Sequence, residues 1–274
     1  MPAIQPSRLR QQAAALGDLF KQPARFRSGL RDLFEFYANR ANRIAQGAAA
    51  HTLLPLFEIP PAVIRQVENE LDQLCQADPQ ASLELADCLW ADPYLEVRRL
   101  AVYLLSQAPV TPTDPVKERL ITWITPTLDK TLLDALLSQG AGRMRRSQPE
   151  DWWGIIKSWL ANPEIKTQAL GLRALAAMVP DEAFHSLPSV FTAISPFVYP
   201  PNILLQDELL DVLKSLAQRS PAETVYFLKQ LLAMGPDPRV PRLVRRCLPY
   251  LKEVHQYSLR AVLRVKARSD AADD

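Results

Sequence analysis

The chain has 274 residues, 48% hydrophobic and 23% charged, which are ordinary globular values that exclude disordered and fibrous classes. Glycine is scarce at 8 residues and proline abundant at 24. Neither G-x-G-x-x-G nor G-x-x-x-x-G-K-[ST] occurs, so enzymes that cradle a nucleotide on a glycine-rich loop are not supported. The net charge of +2 hides two basic ends: residues 1–50 hold 8 Lys/Arg against 3 Asp/Glu, and residues 219–274 hold 11 against 6. Residues 51–110 are acidic, with 3 against 9.

The pattern along the chain is helical. Ser7–Phe20 and Gly29–Ala45 read as two basic, aromatic helices around Gln22-Pro23, and residues 1–50 are assigned as an N-terminal cap. In 92–108, Val97, Leu100, Ala101, Leu104 and Leu105 fall on one helical face. Ile165, Ala169, Leu172, Ala176 and Val179 make a second stripe; Leu209, Leu213, Leu216 and Ala217 make a third; Leu259, Val262 and Leu263 begin a fourth. Asp92-Pro93, Asn162-Pro163 and Asp237-Pro238 each precede a helix, pairing a capping oxygen with a residue that needs no donor in the first turn. Asp114-Pro115 and the Asn202 region give weaker starts. No run of alternating strand residues appears. The expectation is an all-α fold, an α-solenoid of stacked helix pairs, forming one domain over 1–268 with repeats from 51 and a frayed tail at 269–274.

Cys75, Cys88 and Cys247 lack a C-x-x-C, and His51, His185 and His255 lie far apart, so no disulfide, metal or cofactor is expected. No 18-residue apolar stretch and no N-terminal h-region occur. A soluble, cytoplasmic monomer without a membrane partner is therefore expected.

Two segments resemble the DNA alkylation repair family, the HEAT-like-repeat DNA glycosylases of bacteria. Leu85–Ala101 is similar to that family's A-x-x-L-W-x-S-x-x-x-E-x-R-x-x-A pattern through Ala86, Leu89, Trp90, Glu96, Arg98 and Ala101, with Asp92 in place of the Ser. Val212–Pro221 is similar to its A-L-R-E-L-S-K-R-N-P ending. The resemblance covers about residues 50–235 and implies stacked, antiparallel HEAT-like helix pairs that hold double-stranded DNA. The family places an Asp four residues after a Trp; here the Asp is Asp134, the implied catalytic residue, and Lys130 stands at the Trp position. Its W-x-R-R segment corresponds to Glu164–Thr167, where Lys166 keeps a cation, and a further Trp corresponds to Asp211. Both aromatic platforms that flank the base and its sugar are replaced.

The residues themselves point to phosphate. Arg239, Arg242 and Arg246 fall at i, i+3, i+7, and Arg260, Arg264 and Arg268 at i, i+4, i+8, each along one helix edge. Arg143, Arg145 and Arg146 follow Gly140 and Gly142 and are expected in a mobile loop that grips phosphates. With Lys130 and Lys166 these complete the expected nucleic-acid-binding set. Trp152 and Trp153 are adjacent and cannot share one helix face, so one of them is expected to be exposed. Two functions stay open: a DNA-binding relative of the glycosylases, or a non-enzymatic scaffold that binds a protein partner.

Overall fold

The computed structural model describes residues 5–38, 52, 54–109, 115–235 and 237–270, the side chains of 268–270 excepted. Among them every regular element is helical, and neighbouring helices pack in pairs, as in an α-solenoid. The chain divides into two compact units, Met1–Arg143 and Met144–Asp274.

The first unit holds α1 (Pro6–Gly17), α2 (Pro23–Tyr37), α3 (Pro61–Ala77), α4 (Pro79–Trp90), α5 (Leu95–Gln107), α6 (Pro115–Trp123) and α7 (Lys130–Ala135). A π-helical turn, Leu136–Gly140, follows α7. α1 packs on α2 and α3, α2 on α4, and α3 on α4 and α5; α5 packs on α4, α7 and the π turn. The five apolar positions expected in α5, Val97 to Leu105, are all buried. The second expected helix starts at Pro23 rather than Gly29 and ends at Tyr37; residues 39–45 lie outside the described residues, as does Asp114.

Short α8 (Gly142–Ser147) spans the boundary between the units. The second unit continues with α9 (Pro149–Leu160), α10 (Ile165–Met178), α11 (Leu187–Val198), α12 (Gln206–Arg219), α13 (Pro221–Ala233), α14 (Arg239–Cys247) and α15 (Glu253–Asp270). Short 3-10 turns precede α12 and follow α14. α9 packs on α10; α10, α12 and α14 pack in succession; α13 packs on α12, α14 and α15. The stripe proposed for α10 is corrected: Ile165 is exposed and Ala169 and Ala176 are half-buried. Leu172 and Val179 are buried as expected, but the buried set is wider, Thr167, Leu170, Gly171, Leu172, Ala174, Leu175 and Met178, because the helix is covered from two sides, by α9 and α12.

Seven helices begin on proline: α1, α2, α3, α4, α6, α9 and α13. The Asp/Asn-Pro pairs act differently from the expected N-caps. Asp92 Oδ1 accepts from the Tyr94 amide at 3.1 Å, Asn162 Oδ1 from Glu164 at 2.9 Å, and Asp237 Oδ1 from Arg239 at 2.8 Å. Each is an Asx turn, whose side chain bonds the amide two residues on and so turns the chain before the helix begins. Hence α5, α10 and α14 start at Leu95, Ile165 and Arg239, beyond the prolines.

Both family-like segments serve the fold. Asp92 is 1% exposed; it accepts from Arg31 Nε at 2.8 Å, while its carbonyl accepts from Arg98. Arg98 lies over Trp90, which stacks on Trp123 at 4.5 Å. Glu96 Oε1 accepts from the amides of Phe57 and Glu58 at 3.0 and 2.8 Å. Glu58 has φ 57°, and the resulting bend turns two successive amides toward one carboxylate oxygen. In the second unit Arg219 donates to the carbonyls of Val179, Asp181 and Phe184, fixing the turn after α10.

α9 and α10 approach closely at Gly171. A Cβ on Gly171 would sit 2.9 Å from Leu160 Cδ2 and 3.1 Å from the Leu160 backbone nitrogen. Backbone cannot yield as a side-chain end can, so Gly171→Ala is expected to cost about 1–3 kcal/mol by overpacking, despite alanine's better helix propensity. Urea unfolding measures this; a stability equal to or above wild type would contradict it.

Candidate nucleic-acid interface

In the first unit, Lys130 and Asp134 both lie on α7, one turn apart, and both are exposed. The helix is anchored from below: Leu132 and Leu133 are buried, and Asp129 accepts from the amides of Thr131 and Leu132. Thr52 Oγ1 in turn donates to Asp129 Oδ2 at 2.7 Å. The helix next relaxes into the π turn, where the Ala141 amide reaches back to the Leu136 carbonyl at 2.8 Å. Single π turns recur at functional sites, and no residue pattern announced this one. α7 thus presents a lysine and a carboxylate, with no ring between them to support a base.

The arginine segment after Gly140 is helical, contrary to the expected mobile loop. Its three arginines have different surroundings. Arg143 is half-buried, and its guanidinium lies 3.4 Å from Gln107 Oε1. Arg145 is 6% exposed, with Nε 2.5 Å from Asp181 Oδ2. Arg146 is exposed. The helical spacing turns Arg145 inward, where its pair with Asp181 ties α8 to the turn that Arg219 also holds. Trp152 and Trp153 are corrected as well: they are 0% and 5% exposed, because α9 is covered both by α10 and by the segment carrying Phe184. Neither tryptophan is exposed to a partner.

Lys166 is exposed on the first turn of α10, and Asp211 is exposed on α12. α14 buries Val240, Pro241, Leu243, Val244 and Cys247, which leaves Arg239, Arg242, Arg245 and Arg246 exposed. Two of these have acids at hand. Arg239 is 2.6 Å from Asp237, and this contact holds the Asp237 carboxyl below its ordinary range. Arg246 is 2.9 Å from Asp207 on α12. Among the described residues no acid pairs with Arg242 or Arg245.

α15 is the expected helix, and it runs through Asp270, into the stretch expected to fray; residues 271–274 lie outside the described residues. Leu259 and Leu263 are buried, and Arg260 and Arg264 are exposed beside them. Arg260 and Arg264 meet Arg245 of α14 around a cleft of about 310 Å³ floored by Leu248, Leu263 and Ala267. No carboxylate lines it. The sequence reading missed Arg245 because it lies off the 239, 242, 246 stripe. The buried positions Val244 and Cys247 flanking it were the available signal, since they put Arg245 at the edge where the next helix arrives.

Each unit carries its own basic residues. Arg245, Arg260 and Arg264 converge, with Arg242 and Arg246 on the same helix as Arg245. Arg145 is buried in the second unit's own structure. Lys130, Asp134 and Arg143 belong to the first unit.

Two of the three thiols are held back by burial. Burial pushes the Cys75 thiol upward and the Cys247 thiol up to about 12, far from the thiolate that nucleophilic or metal chemistry needs. Among the described residues no group of three His, Cys, Asp or Glu side chains is placed to hold a metal, and no helix is long and apolar enough to cross a membrane.

The model of the DNA alkylation repair enzyme family matches residues 31–247, most of the chain, and the protein belongs to that family. No curated protein matches the chain. The family match ends at Cys247, so the arginines of α15 lie beyond it.

The two arginines of α8 separate a structural from a surface role. Arg145→Ala leaves Asp181 without its partner and is expected to destabilise the protein by about 3 kcal/mol. Arg146→Ala is expected to stay within about 0.5 kcal/mol of wild type. Equal urea midpoints for the two variants would show that the Arg145 pair does not hold the fold.

Proposed function

We propose that this member of the DNA alkylation repair enzyme family binds double-stranded DNA by its phosphates through α14 and α15, and that it does so without excising a base. The observation that carries the first half is the acid-free cleft in which Arg245, Arg260 and Arg264 meet. A guanidinium presents a rigid fork of donors that matches two phosphate oxygens, and three around one cleft supply charge and geometry together. Arg242 extends the same surface. The exposed pairs of Arg239 and Arg246 with Asp237 and Asp207 do not remove those cations from use, since exposed ion pairs are worth only about 0–1 kcal/mol and a phosphate can displace them. Family membership favours a nucleic acid over a small free anion as the source of the phosphate.

The second half rests on α7 and α12. Asp134 keeps the carboxylate that would stabilise a developing sugar cation. Lys130 and Asp211 occupy the two positions where the family resemblance implies tryptophan. Without those rings nothing holds the base and sugar in line with the carboxylate, and the positioning part of catalysis is lost. A lysine and an aspartate also cannot stack on an electron-poor alkylated base, which draws its binding energy from aromatic faces.

The test is fluorescence anisotropy of a labelled 20-bp duplex across a salt series. Wild type is expected to bind tightly at low salt and to lose affinity steeply as salt rises. Arg260→Glu combined with Arg264→Glu is expected to weaken binding at least tenfold and to reduce the log–log salt slope by about 2, roughly one for each lost phosphate contact. Unchanged affinity in the double variant would overturn the assignment. Incubation with a duplex carrying methylated purines is expected to release no base above the level seen with Asp134→Asn. Faster release by wild type would restore the excision reading.

A further inference from the structure

α15 carries two apolar faces. Leu259 and Leu263 are buried, on the side where the helix packs against α13. Val254, Tyr257 and Val265 point the other way and are 80%, 77% and 68% exposed, with exposed Ala261 among them. The spacing 254, 257, 261, 265 follows one helical face. Apolar side chains scattered on a surface need no explanation of their own. What singles out Tyr257 is its position, one helical turn before Arg260 on the edge that carries Arg260 and Arg264.

Tyr257 shares a depression of about 630 Å³ with Glu253, Val254, Gln256 and Arg260. Arg260 also lines the acid-free cleft of about 310 Å³ with Arg245 and Arg264. The two hollows are therefore neighbours, divided by one guanidinium. That dividing wall is held in place: Arg260 Nη2 donates to Gln256 Oε1 at 2.9 Å, and Gln256 Nε2 donates to the Leu251 carbonyl at 2.8 Å. The hollows differ in chemistry. Three cations without an acid suit a phosphate. The larger hollow pairs one cation with one carboxylate, Glu253, so it has no net attraction for an anion, and its apolar wall is a ring and a valine. An aromatic face beside a carboxylate suits a nucleobase: the ring stacks on the base, and the carboxylate accepts from N–H groups on the base edge. Three residues, about 4.5 Å of helix rise, separate Tyr257 from Arg260. A base and its own phosphate are separated on the same scale.

In a continuous duplex the bases stack on one another and offer no face to a side chain at the surface. An unpaired base does. We propose that Tyr257 stacks on an unpaired base beside the duplex whose phosphates Arg245, Arg260 and Arg264 hold, so that DNA with a single-stranded interruption is bound in preference to continuous duplex. This inference rests on the phosphate assignment made above and adds to it the class of DNA and the residue that selects it.

Three fluorescein-labelled DNAs test it by anisotropy with the full chain: a continuous 28-bp duplex, the same duplex with a four-nucleotide gap in one strand, and the gapped duplex with its four unpaired residues replaced by tetrahydrofuran abasic analogues. The two gapped probes carry the same phosphates, so a difference between them comes from the bases. Wild type is expected to bind the gapped probe at least about fivefold more tightly than its abasic form. Tyr257→Ala, a change at an exposed position, is expected to bind the two alike while keeping wild-type affinity for the continuous duplex. Tyr257→Phe retains the ring and is expected to retain the preference. Equal affinity of wild type for the gapped and abasic probes, or a preference that survives Tyr257→Ala, overturns this proposal and leaves the phosphate assignment standing. Failure of wild type to bind the continuous duplex, or full affinity in the Arg260→Glu, Arg264→Glu double variant, overturns the phosphate assignment and this proposal with it. A dimer of the free protein in sedimentation that Tyr257→Ala abolishes also overturns it, by assigning this face of α15 to a second copy of the chain.

Discussion

An amphipathic helix cannot cover its own apolar stripe, so it must be held against a neighbour at a fixed angle. Here polar side chains, buried or half-buried, that grip the backbone do the holding. Arg219 bonds three carbonyls of the turn after α10. Glu96 accepts two successive amides at 57–58, and Asp92 joins Arg31 to the start of α5. Such contacts are expensive to break, because the groups left behind are buried without partners. They explain why Leu85–Ala101 and Val212–Pro221 resemble the family so closely. These segments carry the joints of the stack, and their likeness speaks for architecture before it speaks for chemistry.

The same economy governs the charges. A basic residue in a helical stack either braces the fold or is left for a partner, and the sequence spacing does not say which. Arg145 and Arg219 brace it. Arg239 and Arg246 sit at the surface with acids close by. Arg245, Arg260 and Arg264 surround a cleft that no acid lines, and the proposed phosphate contact rests on this difference in company.

Much of the fold was legible in the sequence. Helical spacing gave the buried faces of α5 and α12, and proline marked many helix starts. The α10 stripe was misread because the helix is covered on two sides, and periodicity alone finds only one. Trp152 and Trp153 were misread for the same reason. The Asp/Asn-Pro pairs were recognised as punctuation, but the Asx turn, with its bond two residues ahead, moved all three helix starts beyond the proline. The candidate site was less legible. Asp134 and Lys130 could be placed on one helix face from spacing, whereas the meeting of Arg245 with Arg260 and Arg264 depends on how α14 and α15 cross, which no local pattern encodes.

Hydrogen–deuterium exchange of the full chain, with and without a 20-bp duplex at low salt, tests the central assignment most directly. Slowed exchange in peptides covering 239–247 and 253–270, with α7 unchanged, is the predicted result. Protection centred on α7 and the π turn, with α14 and α15 unaffected, would contradict the account and return the DNA site to Lys130 and Asp134.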